Sequence, residues 1–214
     1  MGITAEERMA SHVRAGDSVL HVSVGQSRTC YALARIAGPG GKVTGVDADR
    51  DQVAQALQLQ EEFADAAGFD NLRFHHGHAT DLKTDLEKAE RLLPAAGVDS
   101  LDRLLAFEAR RRGVFSANPM IPDASIDTAL ADLSAGVGQV ADIRLALDEI
   151  ARVLKPEGRC VLICAISEEA LLRLVEAAGL EEARTEFRSS RSVQLSAVKP
   201  AERVYRAPSS SGCC

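Results

Sequence analysis

Apolar positions along the chain follow two alternating periods. Ser18 to Val24 (SVLHVSV) and Lys42 to Val46 (KVTGV) are apolar and rich in β-branched residues, which predicts strands; Leu72 to His76 predicts a third. Between them the apolar residues fall at helical spacing. Over 28–36, Leu33 and Ile36 share a face beside Ala32. Over a longer helix ending near Ala67, the apolar positions are Val53, Leu57 and Phe63, with Asp49 as N-cap. Ahead of all this, Thr4 with Glu7 forms a capping box that opens a helix from Ala5 to Arg14. Gly38-Pro39-Gly40-Gly41 and Gly68 supply the stops.

Strands that alternate with helices argue a parallel sheet with right-handed crossovers. The alternation is then interrupted. Leu82 to Met120 reads as two charged helices, broken at Pro94 and Gly97 and closed by Gly113 and Pro119, so an insertion over about 83–120 separates the third and fourth strands. Ser125 to Leu130 predicts the fourth strand. Val140 to Leu154 is an amphipathic helix, with Ile143, Leu147, Ile150 and Val153 at helical spacing, stopped by Lys155-Pro156-Glu157-Gly158. Arg159 to Ala165 (RCVLICA) is continuously apolar, as in a strand covered on both faces. Ser167 caps a helix to Ala178, and 185–187 with 192–198 predict a closing antiparallel hairpin. The expected architecture is α/β: a doubly wound, mostly parallel sheet with a helical insertion and a C-terminal hairpin. Residues 1–199 are expected to form one domain, and 200–214 a flexible, Cys-containing tail.

Composition narrows the function classes. Hydrophobic residues make up 46% and charged residues 26%, an ordinary globular balance. Aromatics are 4% and Trp is absent, so the core is expected from Leu, Val, Ile and Ala, without the stacking platforms of single-strand nucleic-acid binders. The formal net charge of −6 opposes phosphate backbones, and the one dense basic run is Arg110-Arg111-Arg112, read as a solvated helix end, so no nucleic-acid partner is expected. No apolar stretch reaches bilayer length, and 1–15 carries two consecutive Glu and no apolar h-region, so neither a membrane span nor a signal peptide is expected. Five Cys at irregular spacing make a poor disulfide framework, which suits a reduced, cytoplasmic protein.

In a doubly wound sheet, ligands sit beyond the carboxyl ends of the strands where the strand order reverses. The loop after the first strand, His21-Val22-Ser23-Val24-Gly25-Gln26-Ser27-Arg28, is therefore the place to look. Asp47, at the end of the second strand, can accept hydrogen bonds from two ribose hydroxyls; the alternative is a helix N-cap or turn role beside Asp49. His75, His76 and His78 lie at the end of the third strand, where one of them suits a general base; a metal site lacks a partner ligand at recognisable spacing.

The stretch TCYALARIAGPGGKVTGVDADRDQVAQALQ from Thr29 resembles class I S-adenosylmethionine (SAM) methyltransferases, and among them the arsenite methyltransferases. HHGHATDL (75–82), IPDASIDTALADL (121–133), LDEIARVLKPEGRCVL (147–162) and the terminal Gly-Cys-Cys add to the resemblance, which covers roughly residues 17–165. It implies a Rossmann-like fold and SAM as cofactor, held around His21, Ser23, Gly25, Ser27 and Asp47, with Ala79 and Thr80 at the positions that flank adenine. It also implies an acceptor such as arsenite, a thiol or another small molecule. The departures are equally specific. The family's first motif has an acid two places before Gly-x-Gly-x-Gly; here the acid is His21 and the glycines are Ser23, Gly25 and Ser27. Leu133 stands where the arsenite branch has a cysteine. Cys30 and Cys164 read as buried small residues, and Cys213-Cys214 are the candidate soft ligands for a metalloid. Two readings follow: a SAM-dependent methyltransferase, or a methyltransferase fold with a degenerate pocket kept as a binding or scaffold subunit. A third use of the fold, binding SAM or another nucleotide for different chemistry, stays open.

Overall fold

The short apolar runs pair into one seven-stranded sheet, in the order β3-β2-β1-β4-β5-β7-β6. The strands are β1 Ser18–Val22, β2 Lys42–Asp47, β3 Leu72–His76, β4 Ile126–Asp132, β5 Leu154–Cys164, β6 Glu181–Arg188 and β7 Val193–Val198. The helices are α1 Ala5–Ala10, α2 Arg28–Ala37, α3 Arg50–Ala67, α4 Leu86–Glu90, α5 Leu101–Ala117, α6 Val140–Val153 and α7 Glu168–Ala177. This computed structural model describes residues 5–23, 25, 28–67, 69–93, 100–134, 140–189 and 191–201. Strands β1 to β5 run parallel, and β7 inserts antiparallel between β5 and β6. The fold is the expected Rossmann-like α/β class.

Alternation along each strand divides the core into two layers. Val19 of β1, Val43 of β2 and Phe74 of β3 pack under α2 and α3 with Cys30, Leu33 and Val53. Leu20 and Val22 of β1, Val46 of β2 and Ala129 of β4 face the other way, where Ile143, Leu147 and Ile150 of α6 cover them. The amphipathic spacing of α6 is thus used in full: its apolar stripe is buried and Leu145 on the far side is 51% exposed.

Several boundaries differ from expectation, each for a local reason. β1 stops at Val22 because Ser23 takes φ 60°, which ends the extended run. β4 continues to Asp132, paired with Ile163, so the fourth strand is longer than its apolar core. β5 begins at Leu154, and the Lys155–Gly158 stop lies inside it as an irregularity. Glu157 takes φ 64° and a Cβ on Gly158 would lie 2.8 Å from the Lys155 carbonyl oxygen. α1 ends at Ala10, and the Arg14 amide donates to Asp17 Oδ2 at 2.9 Å instead of extending the helix. β6 spans Glu181–Arg188, more than the 185–187 expected. α5 runs straight through Gly113. Its Arg111 is no free helix end: it reaches Asp81 Oδ2 at 3.4 Å and Thr84 Oγ1 at 3.1 Å, tying the insertion to the turn after β3.

The buried stripe of α6 sets a stability contrast. Leu147→Ala is expected to cost about 2–5 kcal/mol by denaturant unfolding, whereas Leu145→Ala on the exposed side should stay within about 0.5 kcal/mol.

Candidate functional site

The strand order reverses between β1 and β4, and the carboxyl ends of β1, β2 and β4 open there onto a crevice. β1 and β2 are in register to Val22↔Val46. The Ser23 amide then donates to the Val46 carbonyl at 2.9 Å, holding the loop against β2 as it turns. Ser23 at φ 60° and Gly25 at φ 49° both occupy the left-handed region. A serine there carries a Cβ penalty that glycine lacks, so the backbone keeps a shape suited to glycine although the side chain has changed.

Asp47 ends β2 and ties the loop to the helix that follows. Its Oδ2 accepts from the Gly25 amide at 3.1 Å and its Oδ1 from the Asp49 amide at 2.8 Å. The helix cap itself is Asp49, whose Oδ1 accepts from Asp51 and Gln52 at 2.9 and 3.3 Å. The two roles left open for Asp47 are thereby separated: it makes a turn and a loop contact, but does not cap α3. A carboxylate offers about four lone-pair sites, so two bonds leave capacity for ligand hydroxyls. Opposite, the Gly77 amide donates to the Asp47 carbonyl at 2.9 Å, and a Cβ on Gly77 would lie 2.8 Å from Met120 Cε.

The crevice has a volume of about 680 Å³, and Ser23, Gly25, Asp47, Ala79 and Thr80 all line it. That is within the range of small-molecule sites. His21 is not among the lining residues. It is buried beneath the loop with Nδ1 3.4 Å from Cys30 Sγ. Burial lowers its pKa to about 4 against the opposing pull of Asp132 and Asp47, so it is neutral at pH 7. The acid of the family motif is therefore replaced by an uncharged group in the core. Ser27, Cys213 and Cys214 lie outside the described residues.

The three described cysteines, Cys30, Cys160 and Cys164, are buried, and none lines the crevice. Burial pushes each thiol up to about 12, so they are protonated and poor ligands at neutral pH. Leu133 is also buried, at 1% exposure. The three histidines diverge: His75 Nδ1 meets Asp85 Oδ2 at 3.3 Å, His76 Nε2 meets the Ala48 carbonyl at 3.1 Å, and His78 lines the crevice beyond the strand end. β3 ends at His76, so His78 stands beyond the strand. Among the described residues no group of three or more His, Cys, Asp or Glu is placed to hold a metal.

Asp132 and Asp142 also line the crevice, and sequence reasoning missed both. Asp132 closes β4 two residues past the apolar run, and Asp142 sits in the first turn of α6. Their signal was available: an acid at the end of a strand next to the switch point faces the same edge as Asp47. With Asp49, four carboxylates among the described residues line the crevice, and no described Lys or Arg does. Such a lining focuses a negative potential that favours cationic ligands.

Fold and crevice together define a class, and comparison with known proteins agrees. The methyltransferase-domain family matches residues 14–198, and the chain belongs to it. An arsenite methyltransferase of Aquipseudomonas alcaligenes is 40% identical over 75 residues, which is 35% of this chain and 21% of that protein, so the match spans about a fifth of the relative's length. A SAM-dependent methyltransferase from Aquifex aeolicus superposes with a TM-score of 0.63 at 15% identity, over 92% of this chain and 90% of that one. An arsenic(III) S-adenosylmethionine methyltransferase from Chlamydomonas reinhardtii superposes with a TM-score of 0.55 at 16% identity, over 94% and 74%. At these identities the superpositions establish the fold. No described helix is long and apolar enough to cross a membrane.

Two outcomes follow from the loop. His21 stays neutral in the fold while the unfolded chain protonates near 6.5. The unfolded state therefore binds the extra proton as pH falls from 6.5 towards 4, and stability drops across that window by up to about 1.4 kcal/mol per pH unit. His21→Asn should remove one proton's worth of that slope in urea unfolding measured across the window. Ser23→Gly should raise stability by about 1 kcal/mol by relieving the left-handed serine, read as a higher midpoint at unchanged m-value.

Proposed function

We propose that this protein is a SAM-dependent methyltransferase whose cofactor lies across the Asp47 crevice. The observation that carries the reading is Asp47 itself: a carboxylate at the end of β2, released from helix capping by Asp49, with unused acceptor capacity facing a cavity of about 680 Å³. These residues fit the cofactor. Asp47 would hold the ribose hydroxyls, Ala79 and Thr80 would flank the adenine, and the backbone at Ser23 and Gly25 would face the methionine part. The four carboxylates suit a ligand that carries sulfonium and ammonium charges.

When bound, the cofactor supplies an electrophilic methyl group. Transfer to a nucleophile needs alignment and exclusion of water more than acid–base help. Asp47 orients the ribose, and the loop hydrogen-bonded to it sets the depth of the site. Asp132 and Asp142 face the acceptor side from β4 and α6, which favours a neutral or cationic acceptor over an oxyanion. Arsenite, a thiol or another small nucleophile fits that requirement. The arsenite reading draws on the 75-residue likeness to an arsenite methyltransferase. With Leu133 at the expected cysteine, a thiolate-held metalloid would depend on Cys213 and Cys214.

A second reading has its own observation. His21 is a neutral core residue and Ser23 is a strained one, as in a pocket retained for shape while the protein serves as a binding or scaffold subunit. Titration calorimetry with SAM and with S-adenosylhomocysteine separates the two. The enzyme reading expects dissociation constants on the order of micromolar, weakened about tenfold or more by Asp47→Ala. Absence of binding by either ligand, from protein with native circular dichroism, would overturn the enzyme reading and favour the scaffold one.

A further inference from the structure

A second cavity lies on the sheet face away from α2 and α3. Val43 of β2 and Leu72 and Phe74 of β3 pack under those helices, so alternation sends Lys42, Thr44, Arg73 and His75 to the opposite face. The insertion follows β3 and is the segment placed to cover them, but α5 buries only Phe115. What remains is a cavity of about 190 Å³, lined by Ser18, Lys42, Thr44, His75 and Ser125, with Met120 among the apolar residues that close it. It shares no lining residue with the Asp47 crevice.

Two of its polar side chains, Thr44 and Lys42, have no hydrogen-bond or ion-pair partner among the described residues. Thr44 is only 5% exposed, yet its hydroxyl has no hydrogen-bond partner among the described residues. A hydroxyl facing a cavity in that state has donor and acceptor capacity that a ligand can use. Lys42 makes no ion pair among the described residues. His75 is oriented by Asp85, itself 6% exposed. Burial pushes the Asp85 carboxyl up, but hydrogen bonds from His75 and the Lys88 amide outweigh this and bring it down to about 2. It is thus an ionised acceptor for the Nδ1 proton, which leaves Nε2 as the ring nitrogen open to a ligand.

The nearby carboxylates do not oppose a negative ligand strongly, because each is already paired. Asp85 also meets Lys88 at 3.4 Å, and Asp127 is held by Lys155 Nζ and the Ser18 amide, both at 2.8 Å. Lys42 also borders a wider depression of about 630 Å³ at the amino ends of β2 and β3, where Arg35 and Arg73 add two cations and Asp70 is the single carboxylate. In a chain of net charge −6, this places a cationic edge at the end of the sheet opposite the carboxylate-lined crevice.

We infer that the cavity under Lys42, Thr44 and His75 binds a small tetrahedral oxyanion of phosphate or sulfate size, free or as the end group of a ligand extending over Arg73. The volume agrees: it is below the roughly 300 Å³ at which drug-sized sites begin, too small for a nucleotide.

The test is a 1H–15N NMR titration of the full chain with sodium phosphate, at ionic strength held constant with chloride. The expected result is saturable shifts at the amides of Ser18, Thr44 and His75, with affinity reduced about tenfold by Lys42→Ala and by Thr44→Val. Thr44→Val removes a hydroxyl that bonds to nothing among the described residues, so this variant should fold with undiminished stability, and its loss of binding reports on the ligand. Shifts that do not saturate, or that persist unchanged in both variants, would mean an adventitious ion only and overturn the assignment. Glycerol 3-phosphate distinguishes the source. Tighter binding than phosphate, lost in Arg73→Ala, identifies a phosphomonoester, and equal binding identifies the free ion.

Discussion

The arrangement of this molecule depends on how one strand is paired: β1 is hydrogen-bonded in parallel to β2 on one side and to β4 on the other. Parallel strands need crossovers, and right-handed crossovers leaving β1 in opposite directions put helices on opposite faces. The carboxyl ends of β1, β2 and β4 are then left without a covering element. The crevice is a consequence of topology before it is a consequence of any side chain. Asp47 and Asp132 come to one edge because they close strands that flank β1, although 85 positions of sequence separate them.

The loop after β1 shows how far a motif can change while its backbone holds. Ser23 keeps a left-handed φ because the sheet fixes where β1 ends and the Gly25 amide is anchored on the Asp47 carboxylate. Those contacts outweigh the local preference of serine. His21 is the opposite case. Its side chain points into the layer beneath α2, where burial keeps it neutral and Cys30 is its neighbour. The chain has exchanged a position that is charged in the methyltransferase motif for a core contact, and has kept the shape of the loop above it.

Charge is distributed with the same logic. The carboxyl edge of the sheet carries the four acids of the crevice, and the amino edge carries Lys42, Arg73 and Arg35. The insertion explains why the amino edge is open on one face. α5 is held by Arg111 to Asp81 and Thr84, a polar tether, rather than by an apolar stripe. Leu101, Leu104 and Leu105 are exposed on it, and only Phe115 is buried. A helix attached this way does not seal the strands beneath it.

Most of the architecture was legible in the sequence because period and burial are linked. The stripe Ile143, Leu147, Ile150 has one stable use, against a sheet, and RCVLICA has one, between two layers. The alternation of strands and helices then restricted the topology to a doubly wound sheet. Asp47 and Gly25 were legible as candidates because they stand at or just beyond the carboxyl ends of β2 and β1, and Ala79 and Thr80 through the resemblance to methyltransferases; all four line one crevice. Only the tertiary structure decided the rest. That Asp49 and not Asp47 caps α3, that His21 is buried against Cys30, that Asp132 and Asp142 line one crevice with Asp47, and that the three histidines part ways are facts about how the backbone turns and which segments meet. Spacing along a chain constrains which face a residue takes. It carries no information about which neighbour that face will meet, because that is set by packing among all the elements at once.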